Sequence, residues 1–371
     1  SASRRIITVV ECVEIMRKGL ILVFILVTAP LLPLGHIDSV EAQVNPDIQL
    51  SCDQEEYTYG QYVWDQSSNF AFLDCSISNP TIYNETVSLN ASIGYYLIQV
   101  RNQLLEEPYQ TYVNAGDTTN FTVIFRPEYD ANLSTRQVTI NAKVEQVEWE
   151  IGGGGPCPTC QTQTVDVDLR PVWAGEFVQV NFNTSTNQGN FVLETHKSAV
   201  ATEQSFLAHV SNGMYNGTIF HRIIDNFMIQ GGDIECGMLN STCDAGIGGY
   251  AGVWSGYCSG QSVASWNGSV CDQNEWTLPD EADNGLLHIP CAVSMAKTAQ
   301  PNTGGSQFFV IPGDSTPSHL DGVHTVFGHV LDGCEQIDFI SEVTTDNNDR
   351  PIDNVIITGM EIVEWPIVEE P

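Results

Sequence analysis

Phe220-His221-Arg222-Ile223-Ile224-Asp225-Asn226-Phe227-Met228-Ile229-Gln230-Gly231-Gly232-Asp233 is the stretch on which the fold of this chain turns. It reads as two strand segments, near Thr218-Ile223 and Met228-Gly232. Phe177-Val178-Gln179-Val180-Asn181-Phe182 and Gly189-Asn190-Phe191-Val192-Leu193-Glu194 read as paired strands upstream of it. Between them and the quoted stretch, Ala199 to Val210 reads as a helix with Phe206, Leu207 and Val210 on one face. Downstream, strands are predicted near Ala292-Ala296, Phe308-Ile311 and Thr325-Leu331, with a second short helix near Glu335-Ile340. Many strands with two helices predict a closed β-barrel capped at its ends.

The quoted stretch resembles the cyclophilin signature nearly residue for residue. Ser294-Met295-Ala296, Ser306-Gln307-Phe308-Phe309-Val310 and Leu320-Asp321-Gly322-Val323-His324-Thr325-Val326-Phe327-Gly328 keep that family's order and approximate spacing. The resemblance implies an eight-stranded barrel over residues 175–365 and peptidyl-prolyl cis-trans isomerase activity on proline-containing polypeptides.

That reaction sets clear chemical demands. Amide resonance imposes a barrier of about 18–20 kcal/mol on rotation about an Xaa-Pro bond. Lowering it takes an apolar pocket for the proline ring and donors that favour the twisted amide over either planar state, with no cofactor, metal or nucleophile. By resemblance, Arg222 donates to the proline carbonyl and toward the amide nitrogen, a role suited to a planar, permanently charged group. Gln230 is expected to hold Arg222 and bind substrate backbone. Phe227, Met228, Phe309 and Leu320 are expected to line the pocket, with catalytic His324 at its edge and the backbone from Ala296 to Thr298 pairing with residues before the proline.

His319 stands where the best-known eukaryotic members carry a tryptophan that contacts cyclosporin, so it is placed among the substrate-binding residues without implying drug sensitivity. The Met295 to Ser306 segment is one residue longer than in those members and looks prokaryotic-like. A Cys-rich insertion at 236–276 carries Trp254, Trp266 and Trp276, which are expected either to extend the substrate groove or to form a stabilising surface excursion.

Residues 46–149 alternate apolar and polar positions between polar turns, as in Val87-Ser88-Leu89-Asn90-Ala91 and Val138-Thr139-Ile140-Asn141-Ala142. This pattern predicts an immunoglobulin-like antiparallel β-sandwich acting as a spacer or docking module. A Gly/Cys-rich linker is predicted over 150–174, from Gly152-Gly153-Gly154-Gly155-Pro156-Cys157-Pro158-Thr159-Cys160. Its Cys-x-x-Cys lacks the βαβ setting of a thiol-disulfide oxidoreductase and a second ligand pair for zinc, so a local disulfide is expected.

Residues 1–42 read as a signal peptide or N-terminal anchor with an upstream extension: Arg17-Lys18, an apolar run from Leu20 to Leu34, then Val40-Glu41-Ala42. Of eleven cysteines, ten follow that segment, an even number suited to an oxidising compartment. Connectivity is not encoded in the spacing; Cys52 with Cys75 and Cys258 with Cys271 are attractive local pairs, and Cys291 and Cys334 flank strands of the expected barrel, across which they could pair. Eight Asn-x-Ser/Thr sequons, beginning at Asn84, Asn90, Asn120, Asn132, Asn183, Asn216, Asn240 and Asn267, fit export.

The charge balance is 46 acidic against 13 basic residues, a net charge of -33, which argues against nucleic-acid and anionic-membrane surfaces. The expected protein is an exported monomer, extracellular, periplasmic or at the cell surface, that meets a membrane only through an uncleaved anchor. A proline-peptide scaffold without turnover is the competing reading. Arg222 together with Gln230 argues for the enzyme.

Overall fold

A computed structural model describes residues 47–148, 153–236, 244–263 and 270–366. The leader segment, Cys243, Trp266 and the sequons at Asn240 and Asn267 lie outside the described residues.

The N-terminal region is made of two β-sheets. One orders Gln49–Cys52, Ala71–Ser78, Thr118–Phe125, Tyr96–Val100 and Gln103–Leu104, all antiparallel. The other orders Glu56–Gln61, Thr162–Trp173, Arg136–Glu148, Asn84–Ala91 and Gln110–Val113. Alternation dictates these strands, because successive side chains point to opposite faces. Leu73, Cys75 and Ile77 of the first sheet and Val87, Leu89, Val138 and Ile140 of the second turn inward into one shared core. Cys52 and Cys75 face each other across the first sheet and are bonded.

The stretch read as a linker differs from expectation. Thr162–Trp173 is a twelve-residue strand, parallel to Glu56–Gln61 and antiparallel to Arg136–Glu148, and it buries Val167 and Leu169 in the core of the N-terminal sheets. The glycines before it instead form a short strand, Gly154–Pro156, folded back on Arg136–Glu148 and followed by the Cys157–Cys160 disulfide.

The barrel sheet of the C-terminal region has nine strands among the described residues: β1 (Phe177–Asn183), β2 (Gln188–Thr195), β3 (Ile219–Phe220), β4 (Arg222–Ile224), β5 (Met228–Gly231), β6 (Ala292–Met295), β7 (Phe308–Val310), β8 (Val326–Asp332) and β9 (Val355–Val363). Their order is β3-β9-β1-β2-β8-β6-β7-β5-β4, antiparallel throughout. The two outermost strands, β3 and β4, are separated only by His221, so the sheet curls into a nearly closed barrel. Val180, Phe182, Phe191, Leu193, Phe308, Phe327 and Ile357 fill its interior. Each fully buried Phe or Leu there contributes about 1.5–3 kcal/mol. Helix α1 (Val200–Ser211) adds Phe206 and Val210 to that core, and α2 (Cys334–Ser341) adds Ile337 and Ile340. The Cys291–Cys334 disulfide ties the start of α2 to the approach to β6.

The segment after Glu56–Gln61 packs on the barrel. Tyr62 stacks on His196 at 3.9 Å, Trp64 stacks on His329 at 5.0 Å, and the Tyr62 hydroxyl accepts the Lys197 N–H. Glu194 of β2, fully buried, accepts the backbone N–H groups of Val63 and Trp64. Burial pushes its carboxyl up to about 7, while those N–H groups pull the other way.

Because the folded value lies above the ordinary 4.5, the native state keeps this proton longer. The associated stability is complete below about 4.5 and is lost as pH rises through about 7. Urea unfolding of the native chain and Glu194→Gln from pH 5 to 8 should therefore show the native chain losing stability relative to the variant, by up to ~3 kcal/mol. Parallel profiles would contradict this.

Candidate active site

The barrel register aligns the principal side chains. Arg222 on β4 lies opposite Gln230 on β5, Gln230 opposite Phe309 on β7, and Phe309 opposite Ser294 on β6. Residues paired across an antiparallel ladder share a face. Phe308 and Val310 point into the barrel, so Phe309 and its row point outward.

That outer face carries an apolar layer separate from the interior core. Met228, Ala292, Ala296, Phe309, Ile311 and Val326 are buried in it, and Phe227 and Leu320 pack against its rim. His319, exposed on the turn Ser318–Leu320, stacks on Phe227 at 5.7 Å. His324 meets the Phe309 ring edge-on at 5.5 Å, and its Nδ1 lies 3.1 Å from the Met295 carbonyl. A carbonyl only accepts, so Nδ1 carries the hydrogen in that contact. Burial holds the His324 imidazole below its ordinary range, opposed by the Met295 bond.

The polar contacts divide differently from expectation. Gln230 donates its amide to Gln307 Oε1 at 2.9 Å, and Gln307 donates in turn to the Gly248 carbonyl at 2.7 Å. Arg222 is instead paired with Asp349, Nε to Oδ2 at 3.5 Å. The adjacent register of Arg222 and Gln230 puts both on one face, but the glutamine amide is taken by a side chain from the strand approach on its other side.

The insertion is attached to this machinery. Asp233, closing the quoted stretch, accepts the N–H groups of Gly246 and Gly248 and so presents Gly248 to Gln307. The Cys258–Cys271 disulfide staples the insertion, and Cys236 is also disulfide-bonded. Of the two readings for the insertion's tryptophans, the contacts of Trp254 and Trp276 fit the stabilising one. The two rings pack on each other at 5.5 Å, and Trp276 reaches the barrel's interior cluster.

The family model for the cyclophilin type peptidyl-prolyl cis-trans isomerase/CLD matches residues 179–362. The chain is 36% identical over 185 residues to peptidyl-prolyl cis-trans isomerase-like 1 of Gibberella zeae, covering 50% of this chain and 95% of that protein. It is 33% identical over 164 residues to a peptidyl-prolyl cis-trans isomerase of Acinetobacter baylyi, covering 43% of this chain and 71% of the relative. The chain belongs to the cyclophilin family. Its activity is peptidyl-prolyl cis-trans isomerisation, and its cyclophilin domain binds proline-containing peptides. Relatives from a fungus and from a bacterium both match this domain.

Two residues of this cyclophilin escaped the sequence reading. His288 lies parallel under Phe309 at 5.8 Å, fully enclosed, with Nδ1 on Asp321 Oδ1 at 2.8 Å and Nε2 on Ser294 Oγ at 3.0 Å. Asp321 also accepts the His288 backbone N–H, so this pair ties the segment carrying His319, Leu320 and His324 to the pocket floor. Asp321 stood inside a quoted block, but only the fold reveals its partner.

Proposed function

We propose that this cyclophilin isomerises Xaa-Pro bonds in exported or surface-displayed polypeptides, with Arg222 as the donor to the twisting amide. The observation that carries the reading is the row Arg222, Gln230, Phe309 laid across three adjacent strands directly beside the apolar layer of Met228, Phe309 and Ala296. A proline ring seated on that layer brings its carbonyl under the guanidinium. As rotation removes conjugation, the carbonyl and the freed nitrogen lone pair both become better acceptors, so a fixed cationic donor favours the twisted state over the planar ones. Each 1.36 kcal/mol of that preference is worth about a factor of ten in rate.

His324 closes the edge of the pocket, Phe227, Leu320 and His319 its rim, and the Ala296 backbone receives the residues preceding the proline. The N-terminal sheets are read as an immunoglobulin-like sandwich that spaces or docks the catalytic barrel. Export is supported by the leader pattern and by four disulfides among the described cysteines, since such bonds persist in oxidising compartments.

Titrating the ¹⁵N-labelled chain with a short Xaa-Pro peptide is expected to shift the amides of Ala296, Phe309 and Gln230, and replacing the proline by alanine should abolish the shifts. Perturbations confined to the N-terminal sheets would contradict the site. In an exporting host, recovered extracellular protein should begin just after Ala42; retention of the intact chain in the cytoplasm would contradict export.

A further inference from the structure

We infer that Asp349 is the residue that positions the Arg222 guanidinium for the reaction. The inference rests on the role of Arg222 proposed above and replaces the expectation that Gln230 holds it. Among the described residues, Asp349 is the carboxylate within ion-pair reach of Arg222, at 3.5 Å with both side chains 44% exposed. Gln230 is engaged by Gln307 and offers Arg222 no hydrogen bond.

The loop that presents Asp349 is built for a fixed placement. Asp346 Oδ1 accepts the N–H groups of Asn348 and Arg350, and Asp346 donates its own N–H to the Arg350 carbonyl at 2.8 Å. Thr345 and Pro351 pair across the loop's base. Asp349 itself has φ +62°, the left-handed conformation that side chains other than Gly, Asn and Asp seldom adopt. Its carbonyl accepts the N–H of Ile223 at 2.8 Å, so the loop is pinned to the residue next to Arg222.

Stability does not account for this contact, because a pair this exposed adds little to the folded state. Orientation does. An arginine side chain has many rotamers, and a half-exposed one visits several of them. A carboxylate drawing the Nε edge narrows that set while leaving the Nη groups for the proline carbonyl, and correct orientation before reaction converts directly into rate.

The test is a double-mutant cycle on the full chain, read in a prolyl isomerisation assay at low salt. Asparagine tolerates the left-handed backbone, so Asp349→Asn preserves the loop and removes the charge. It is expected to lower kcat about tenfold with KM within twofold, a positioning effect of the kind argued above. In an Arg222→Ala background, Asp349→Asn should have no further effect, since the two act through one contact. Wild-type or raised activity in Asp349→Asn, or an equal loss when Arg222 is already absent, would overturn the inference. If Arg222→Ala were itself fully active, the proposed role of Arg222 would fail, an outcome distinct from failure of Asp349 alone.

Discussion

Replacing Arg222 by alanine is expected to lower kcat/KM for a short Xaa-Pro peptide by on the order of 10²–10³, the usual consequence of deleting a preorganised donor to developing charge. The peptide should still bind, because the apolar layer of Met228, Phe309 and Ala296 is untouched. Folding should also survive. The Arg222 side chain is 44% exposed and its ion pair with Asp349 is a weak surface contact, so unfolding should shift by no more than ~0.5 kcal/mol. Arg222→Lys tests geometry separately from charge, since an ammonium lacks the planar fork, and it should restore little. A full loss of peptide binding in Arg222→Ala would mean that the arginine holds the substrate rather than favouring its twisted form.

Replacing Phe309 by alanine should act through the opposite route. Phe309 is 4% exposed, stacked on His288 on one side and met edge-on by His324 on the other. Removing the ring opens a cavity between two histidines, with an expected cost of about 3–5 kcal/mol in stability. KM should rise strongly, because the proline ring loses its floor. Phe309→Leu separates the two effects: it keeps most of the volume at a cost of under ~1.5 kcal/mol, yet lacks the flat surface. Denaturant unfolding and KM, measured on all three proteins, check this. A folded Phe309→Ala variant with unchanged KM would remove Phe309 from the pocket.

Much of this architecture is legible in the residues because the strands obey a period of two over an apolar core. Val178, Val180 and Phe182 in β1 and Leu73, Cys75 and Ile77 in the N-terminal sheets are plain alternations, and all are buried. The strand Thr162–Trp173 was hidden for a physical reason. Its inward residues Val165, Val167 and Leu169 are interleaved with Asp166, Asp168 and Arg170, and the glycine and cysteine run before it dominates a local reading. Strand β9 was unread because its alternation is interrupted at Gly359, where the ladder with β1 slips between Asn181 and Phe182.

The candidate site shows the same division. Its pocket residues sit within contiguous blocks, and the barrel register gathers them without long excursions. The polar partners do not follow local pattern. Gln230 finds Gln307 from 77 positions away, and Asp349 reaches Arg222 from a loop between α2 and β9. Such pairings depend on where the chain returns after building the barrel, and no spacing within a strand or helix encodes them.

The most direct measurement is the cis-trans exchange rate of a short Xaa-Pro peptide by exchange NMR, with catalytic amounts of the full chain and no auxiliary protease. Uncatalysed exchange takes tens to hundreds of seconds, so the window is wide. Acceleration proportional to protein concentration, largely absent in Arg222→Ala, is the expected result. Peptide binding at the Phe309 face with exchange left at the uncatalysed rate would contradict it and describe a groove that holds proline without turning it.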